Sequence, residues 1–395
     1  MLRPRVRRTV LVLCAAVLAA VSACAEPEPD LELQVPGRVD GALGVAGTPS
    51  PSSTAEASCS TQPVAGGYDV ATLNRAMQGI SLPDWRAGDV GATAPLSDGR
   101  LLWVFGDTLR AKGAQPGIVA NSMLVSSGTC FTPVAGSSGA PVLDLQRTGQ
   151  ACWPTSVLAR KAMGGDSVSV ICSRVQQDHH GLLDFTYLGA SLAEIRVPVG
   201  GRPVVEHMTT LTPDNHDPRA VNWGAAQVVD GDWLYVYGSQ QAPGQVAKSA
   251  LVARVRLEQM RSFPAWQFYD GRQWQEDPGW ARPVLSASPG VSQAFSVHRI
   301  DGRFVLVSKR GGEFGATIGV WTAASPVGPW TLASETPFAY DEHNGFVRYQ
   351  PLAHPEIRLR SGNLLVSLSR NPTTFTNLLT DPRRGRPVFV EVPHP

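Results

Sequence analysis

The sequence predicts an all-β fold, a five-bladed β-propeller, and three observations carry that reading. Glycine and proline are frequent, 39 and 32 in 395 residues, and they are spread along the chain, which favours many short strands and turns over long helices. A turn glycine followed by a run of strand-forming residues recurs five times, at 99, 165, 231, 302 and 362, with intervals of 66, 66, 71 and 60. A further strand-like run follows each of the first four hairpins, so one interval has room for about four strands, the content of a propeller blade. A sandwich or a β-helix also uses turn glycines, but rarely needs five equivalent units of this length.

Taken in order, residues 1–24 read as a lipoprotein signal peptide. Arg3, Arg5, Arg7 and Arg8 precede an apolar run from Val10 to Val21 that is short for a membrane span. The run ends in Val21-Ser22-Ala23-Cys24, which resembles a bacterial lipoprotein cleavage site, so Cys24 is expected to carry lipid and to anchor an exported protein on the outer face of the cell membrane. The alternative is a plain secretory signal. Residues 25–66, rich in Pro, Gly, Ser and Ala and without apolar periodicity, read as a flexible tether. The propeller is expected over 67–395.

Export decides how the cysteines are read. Beyond Cys14 and Cys24, four remain, and they allow three pairings. Cys152 and Cys172 flank one predicted hairpin, so the first choice is Cys152 with Cys172 and Cys59 with Cys130.

The hairpin runs are Leu101–Phe105, Val168–Ile171, Trp233–Tyr237, Phe304–Val307 and Leu364–Val366, all rich in strand formers. The following strands are expected at 121–125, 185–188, 250–253 and 318–321. An edge strand near Tyr68–Ile80 or at Val388–Val392 is expected to close the ring, with the choice between them open.

The first strand of a blade lines the channel, so one channel mouth is the expected site. The stretch from Asp89 to Thr108 reads as a hairpin turning at Asp98-Gly99, which brings Asp89 and Asp107 together at its far end. Aligning the five second strands on their turns places Asp107, Ser173, Ser239, Lys309 and Arg370 in similar positions. First strands add Asp89, Trp153, Asn222, Trp223, Gln293, His354 and Glu356. Aromatic faces with amides, carboxylates and guanidinium groups suit sugar recognition. Net charge is +1 without a basic cluster after the leader, which argues against nucleic acid and for a neutral partner such as a glycan.

Each candidate has an ordinary structural rival. Asp89 and Asp107 can cap turns; Trp153, Trp223 and Trp330 can pack between blades; His354 can be a satisfied core histidine; Glu356 and Arg370 can form an ion pair. Asp178-His179-His180 reads as a polar loop rather than a metal site, and no spacing calls for zinc, calcium or another cofactor.

The residues that carry a resemblance are Gly88-Asp89-Val90-Gly91-Ala92-Thr93, Asp98-Gly99, Leu102-Trp103-Val104-Phe105-Gly106-Asp107-Thr108 and Asn121-Ser122. Further pieces are Trp266–Gly271 with Trp274, Gly328-Pro329-Trp330, His354-Pro355-Glu356 and Ser369-Arg370-Asn371. Over 67–395 the chain resembles actinobacterial five-bladed propellers long catalogued as a domain of unknown function, some of them endo-D-arabinanases. The resemblance implies an exported glycoside hydrolase, endo-acting on the D-arabinan of arabinogalactan and lipoarabinomannan, with Asp89 and Asp107 as an inverting acid–base pair. Asp89 is given the base role and Asp107 the acid role, and the two can be exchanged. Asn121, Trp153, Asn222, Trp223, Gln293, Lys309, His354, Glu356 and Arg370 are expected to meet the polysaccharide, in a monomer without cofactor. The competing expectation is a non-catalytic envelope propeller lipoprotein that binds glycan or protein.

Overall fold

The computed structural model describes residues 59–395, apart from 135, 137–138, 178–184, 242 and 339–344. The expected leader, the lipidation site at Cys24, most of the tether and the Asp178-His179-His180 stretch lie outside the described residues.

Five antiparallel sheets follow one another along the chain as the blades of a propeller. Blade one holds β1 (Ala87–Pro95), β2 (Leu101–Leu109), the short β3 (Ile118–Val119), β4 (Ser122–Ser127) and β5 (Cys130–Val134). Blade two is β6 (Gln150–Ala162), β7 (Gly165–Gln177), β8 (Phe185–Pro198) and β9 (Val204–Thr210). Blade three is β10 (Asn222–Asp230), β11 (Trp233–Gln241), β12 (Lys248–Arg256), β13 (Gln267–Tyr269) and β14 (Trp274–Gln275). Blade four is β15 (Ser296–Ile300), β16 (Arg303–Arg310), β17 (Thr317–Ala323) and β18 (Thr331–Pro337). Blade five is β19 (Phe346–Ala353), β20 (Leu364–Pro372) and β21 (Val388–Val392).

The inner strands β1, β6, β10, β15 and β19 line the central channel with small and apolar side chains such as Ala92, Thr155, Ala225, Ser296 and Leu352. The turn glycines 99, 165, 231, 302 and 362 take φ of 86°, 155°, 59°, 79° and 77°, conformations that L side chains rarely adopt. Second strands bury both faces between blades, which is why they read as continuous apolar runs rather than alternating ones. Leu102 and Val104 of β2 pack with Val168 and Val170 of β7 in one fully buried cluster. Each such side chain contributes roughly 1.5–3 kcal/mol.

Polar groups join neighbouring blades where the backbone leaves partners unmet. Arg100 pairs with Asp98 and donates to the carbonyls of Pro198 and Gly201, while Ser97 donates to Asp166, which fastens blade one to blade two at the turn end. Gln227 of β10 donates to the carbonyls of Ser156 and Ser169 in blade two. Disulfides join Cys59 to Cys130 on β5, and Cys152 to Cys172 across β6 and β7.

Of the two closing segments the sequence left open, one is a strand. Val388–Val392 is a strand, the third of blade five, but Tyr68–Ile80 contributes no strand. Helix α1 (Val70–Gly79) lies there, capped by Asp69, whose carboxylate accepts from the Thr72 backbone N–H at 2.7 Å. Leu73 and Met77, one turn apart, give it a buried face. Asn74 clasps β21 through both groups of its amide, donating to the Phe389 carbonyl at 2.9 Å and accepting from the Phe389 N–H at 2.8 Å. The helix thus covers the edge that a fourth strand would otherwise pair. Its last carbonyls, those of Met77 and Gln78, accept from the buried Arg386, which also donates to the carbonyl of Arg86 just before β1. One guanidinium therefore ties the end of α1 to the strand that carries Asp89.

Candidate active site

The mouth is the end where the inner strands begin and the second strands finish. On β1 the pairing with β2 slips twice, between Gly88 and Val90 and between Val90 and Ala92. Asp89 occupies this bulge. Val90 has φ 68° and Gly91 φ 71°, so a β-branched residue is held in the left-handed region at a cost of order 1–3 kcal/mol. Its N–H is fixed by Ser369 Oγ of blade five at 2.9 Å, and Ser369 in turn donates to Gln350. The bulge turns the Asp89 side chain across β2 at Gly106, where an added Cβ would stand only 2.3 Å from Asp89 Oδ1. Gly106 is thus required by side-chain space and not by its own backbone angle.

Asp89 is half-buried. Its Oδ2 accepts from the Tyr349 hydroxyl at 3.2 Å, and that hydroxyl accepts from Asn371 Nδ2 at 2.8 Å. Its Oδ1 is buried without a protein partner. Asp107 stands at the solvent-exposed rim, and its Oδ1 accepts from Trp153 Nε1 at 2.9 Å. The two carboxylates are therefore held by opposite neighbours, one by blade five and one by blade two.

Burial first, and then the charge of Asp107, pushes the Asp89 carboxyl up to about 7, against the opposing bond from Tyr349. Asp107 is raised to about 6 by loss of water, opposed by the Trp153 bond. Its side chain is nevertheless exposed at the rim, so solvent screens the rise of Asp107 more than that of the half-buried Asp89. Between about 6 and about 7 the pair holds about one proton, seated by preference on the more buried Asp89. Tyr349 is held well above its ordinary value by burial and by the two carboxylates, so it stays protonated and donates.

Among the expected contacts, Trp153 bonds Asp107, and Asn222 and Gln293 line a cavity that also includes Phe185, the ring that Trp153 meets. The others lie elsewhere. Asn121 is buried and bridges the carbonyls of Leu143 and Cys152 and the N–H of Leu143, fixing the passage from blade one to blade two. Trp223 points to the opposite face of β10 from Asn222 and packs on Trp266 and Phe268. Lys309 is buried, bonded to the carbonyls of Glu313 and Arg348, with its ammonium lowered to about 8 by burial. Arg370 donates to the carbonyls of Arg383 and Arg386 and to Gln78, holding the loop before β21.

His354 and Glu356 follow the far end of β19. His354 is fully buried between Thr93 Oγ1 at 2.6 Å and Ser367 Oγ at 2.7 Å, and Glu356 accepts from Thr93. The expectation that both line the mouth is corrected: they close the channel wall below it. The sequence reading places His354 and Glu356 on the first strand of blade five, whereas that strand ends at Ala353. Blade five has a longer connection from 354 to 363, so its mouth residues are Phe346 to Tyr349. Tyr349 was missed for that reason, although Asn371 belongs to a motif already noted. Among the described residues, no group of three or more His, Cys, Asp or Glu is arranged to hold a metal ion.

A sequence-family profile described as Domain of unknown function (DUF5005) matches residues 79–394, and the chain belongs to that family. Notoamide biosynthesis cluster protein J of Aspergillus sp. (strain MF297-2) is 29% identical over 170 residues, which cover 42% of this chain and 43% of that protein. The match thus spans less than half the length of this curated relative. A solved structure from Bacteroides ovatus ATCC 8483, described as a candidate hydrolase, aligns over 81% of this chain and 88% of that chain, with 16% identity and a TM-score of 0.61. The likeness is one of fold. The GH43_1 enzyme from Xanthomonas citri complexed with xylose aligns over 82% and 94% with 16% identity, at a TM-score of 0.44 that adds nothing further.

Proposed function

We propose that this member of the DUF5005 family is an exported glycoside hydrolase, lipid-anchored through Cys24, whose substrate is a furanosidic polysaccharide, D-arabinan before others. The observation that carries the reading is the pair Asp89 and Asp107: two carboxylates at one end of one hairpin, both raised toward neutrality, with the Trp153 ring bonded to one of them. Glycosidic hydrolysis needs one protonated and one ionised carboxyl. The order of their proton affinities favours Asp89 as the acid that protonates the leaving oxygen and Asp107, open to solvent, as the base that activates water. This exchanges the roles first read from the sequence.

Tyr349 holds Asp89 from blade five and Trp153 holds Asp107 from blade two, and inversion, the outcome the motif resemblance implies, requires a water between the two carboxyls. The D-arabinan assignment is supported by the motif resemblance around Asp89 and Asp107. The test is incubation of the protein with arabinogalactan, xylan and a hexopyranose polymer, with products read by chromatography and the first-formed anomer by NMR. Oligosaccharides from arabinogalactan alone, released with inversion, are the expected result. Release from xylan alone would move the substrate, and binding without release from any of them would favour a glycan-binding module.

A further inference from the structure

A cavity of about 320 Å³ opens between blades two, three and four. Its walls include Phe185 and Tyr187 of β8, Asn222 of β10, Ser239 of β11, Lys248 of β12 and Gln293 ahead of β15. It adjoins the Asp89–Asp107 pair through Trp153, which is bonded to Asp107 and meets the Phe185 ring edge-on at 4.6 Å. The volume is at the lower end of the range found for small-molecule sites.

Three features of the wall point to one class of ligand. Ser239, 2% exposed, has a buried hydroxyl with no protein partner, and the buried Tyr187 hydroxyl has only the Trp223 backbone to bond to. Unmet buried hydroxyls are uncommon and mark places where water or a ligand completes the bonding. Asn222 accepts from Ser173 through its Oδ1, which leaves its amide N–H₂ to donate. The charged groups are already matched: Lys248 donates to Gln241 Oε1 at 3.0 Å and feels the Glu313 carboxylate, and Asp217 is held by Arg219 at 3.0 Å. Hydroxyls and amides over an aromatic face, without unbalanced charge, suit an uncharged polyol ring.

We infer that this cavity is a subsite for an uncharged sugar residue, placed along the glycan from the bond that Asp89 and Asp107 attack. The inference rests on the hydrolase reading for the position of that bond, while occupancy by sugar does not.

The test uses the Asp89→Asn protein titrated with oligosaccharides made from arabinogalactan by partial acid hydrolysis, graded by length and followed by saturation-transfer NMR and calorimetry. Tyr187→Phe and Ser239→Ala each remove one hydroxyl, and Thr186→Trp fills the wall. The expected result is that each hydroxyl deletion weakens binding of the longer oligosaccharides roughly three- to tenfold, that filling weakens it further, and that the shortest sugar is unaffected. In the otherwise unmodified protein the same changes raise KM for long chains more than they lower kcat, a split that a general loss of structure does not produce. Equal affinity in all variants, or no sugar binding at all, overturns the subsite. Cavity-dependent binding with no release by the unmodified protein removes the hydrolase reading and leaves the subsite. Release that ignores all three substitutions removes the subsite and leaves the hydrolase.

Discussion

Gly106 and Val90 matter as much at the residue scale as the two aspartates they serve. Gly106→Ala places a methyl 2.3 Å from where Asp89 Oδ1 now lies, which forces the carboxylate to move, with no backbone penalty, so activity should fall by at least about a hundredfold while the unfolding temperature changes little. The proton shared by the pair sets the pH profile. Activity should decline below about 6, where Asp107 takes up a proton, and above about 7, where Asp89 loses its own, giving a narrow bell in kcat/KM. The same shift has a stability sign. A carboxyl raised on folding binds its proton more tightly in the native state, so native stability is lost as pH rises from about 4 through about 7. Asp89→Asn should therefore be more stable than the natural protein at pH 8, by roughly 1–3 kcal/mol, and unfold at a higher temperature, a gain bought at the cost of activity. An unchanged or lowered transition would show that Asp89 is not held at a cost. The aspartates were legible in the sequence because they end one hairpin. Tyr349 was not, because its position depends on how far β19 runs from its turn.

At the scale of elements, the repeat was legible through its turns: five glycines of positive φ at near-constant spacing define five hairpins. What the spacing did not carry was the pair of slips on β1, since a bulge adds residues to one strand without changing the apolar pattern of its partner. Helix α1 was hidden for another reason. Its buried face needs only Leu73 and Met77, and its partner is a strand more than 300 residues away in the sequence, as the separation of 315 between Asn74 and Phe389 shows. Asn74→Ala removes both bonds to Phe389 and should lower stability by about 1–2 kcal/mol, measured by denaturant unfolding. A loss near zero would mean that the helix is held by apolar contact alone.

At the scale of the whole molecule, the ring is closed by groups from both ends of the described chain, and crosslinks limit what unfolding gains. The Cys59–Cys130 link closes a separation of 71 residues and the Cys152–Cys172 link one of 20, worth about 4 and about 3 kcal/mol in chain entropy. Replacing Cys59 and Cys130 together by Ser should lower the unfolding temperature by several degrees without moving the pH profile, since neither touches the mouth. The fold followed from sequence because it is written five times. The proposed chemistry is written once, in blade one, so its reading stands on one hairpin. The most direct test compares release of oligosaccharides from arabinogalactan by the natural protein, Asp89→Asn and Asp107→Asn, each rescued in turn. The account predicts release by the natural protein and losses of at least about a hundredfold in both variants. An activated aryl glycoside should restore Asp89→Asn, and added azide should restore Asp107→Asn. Release that survives both substitutions would contradict the account.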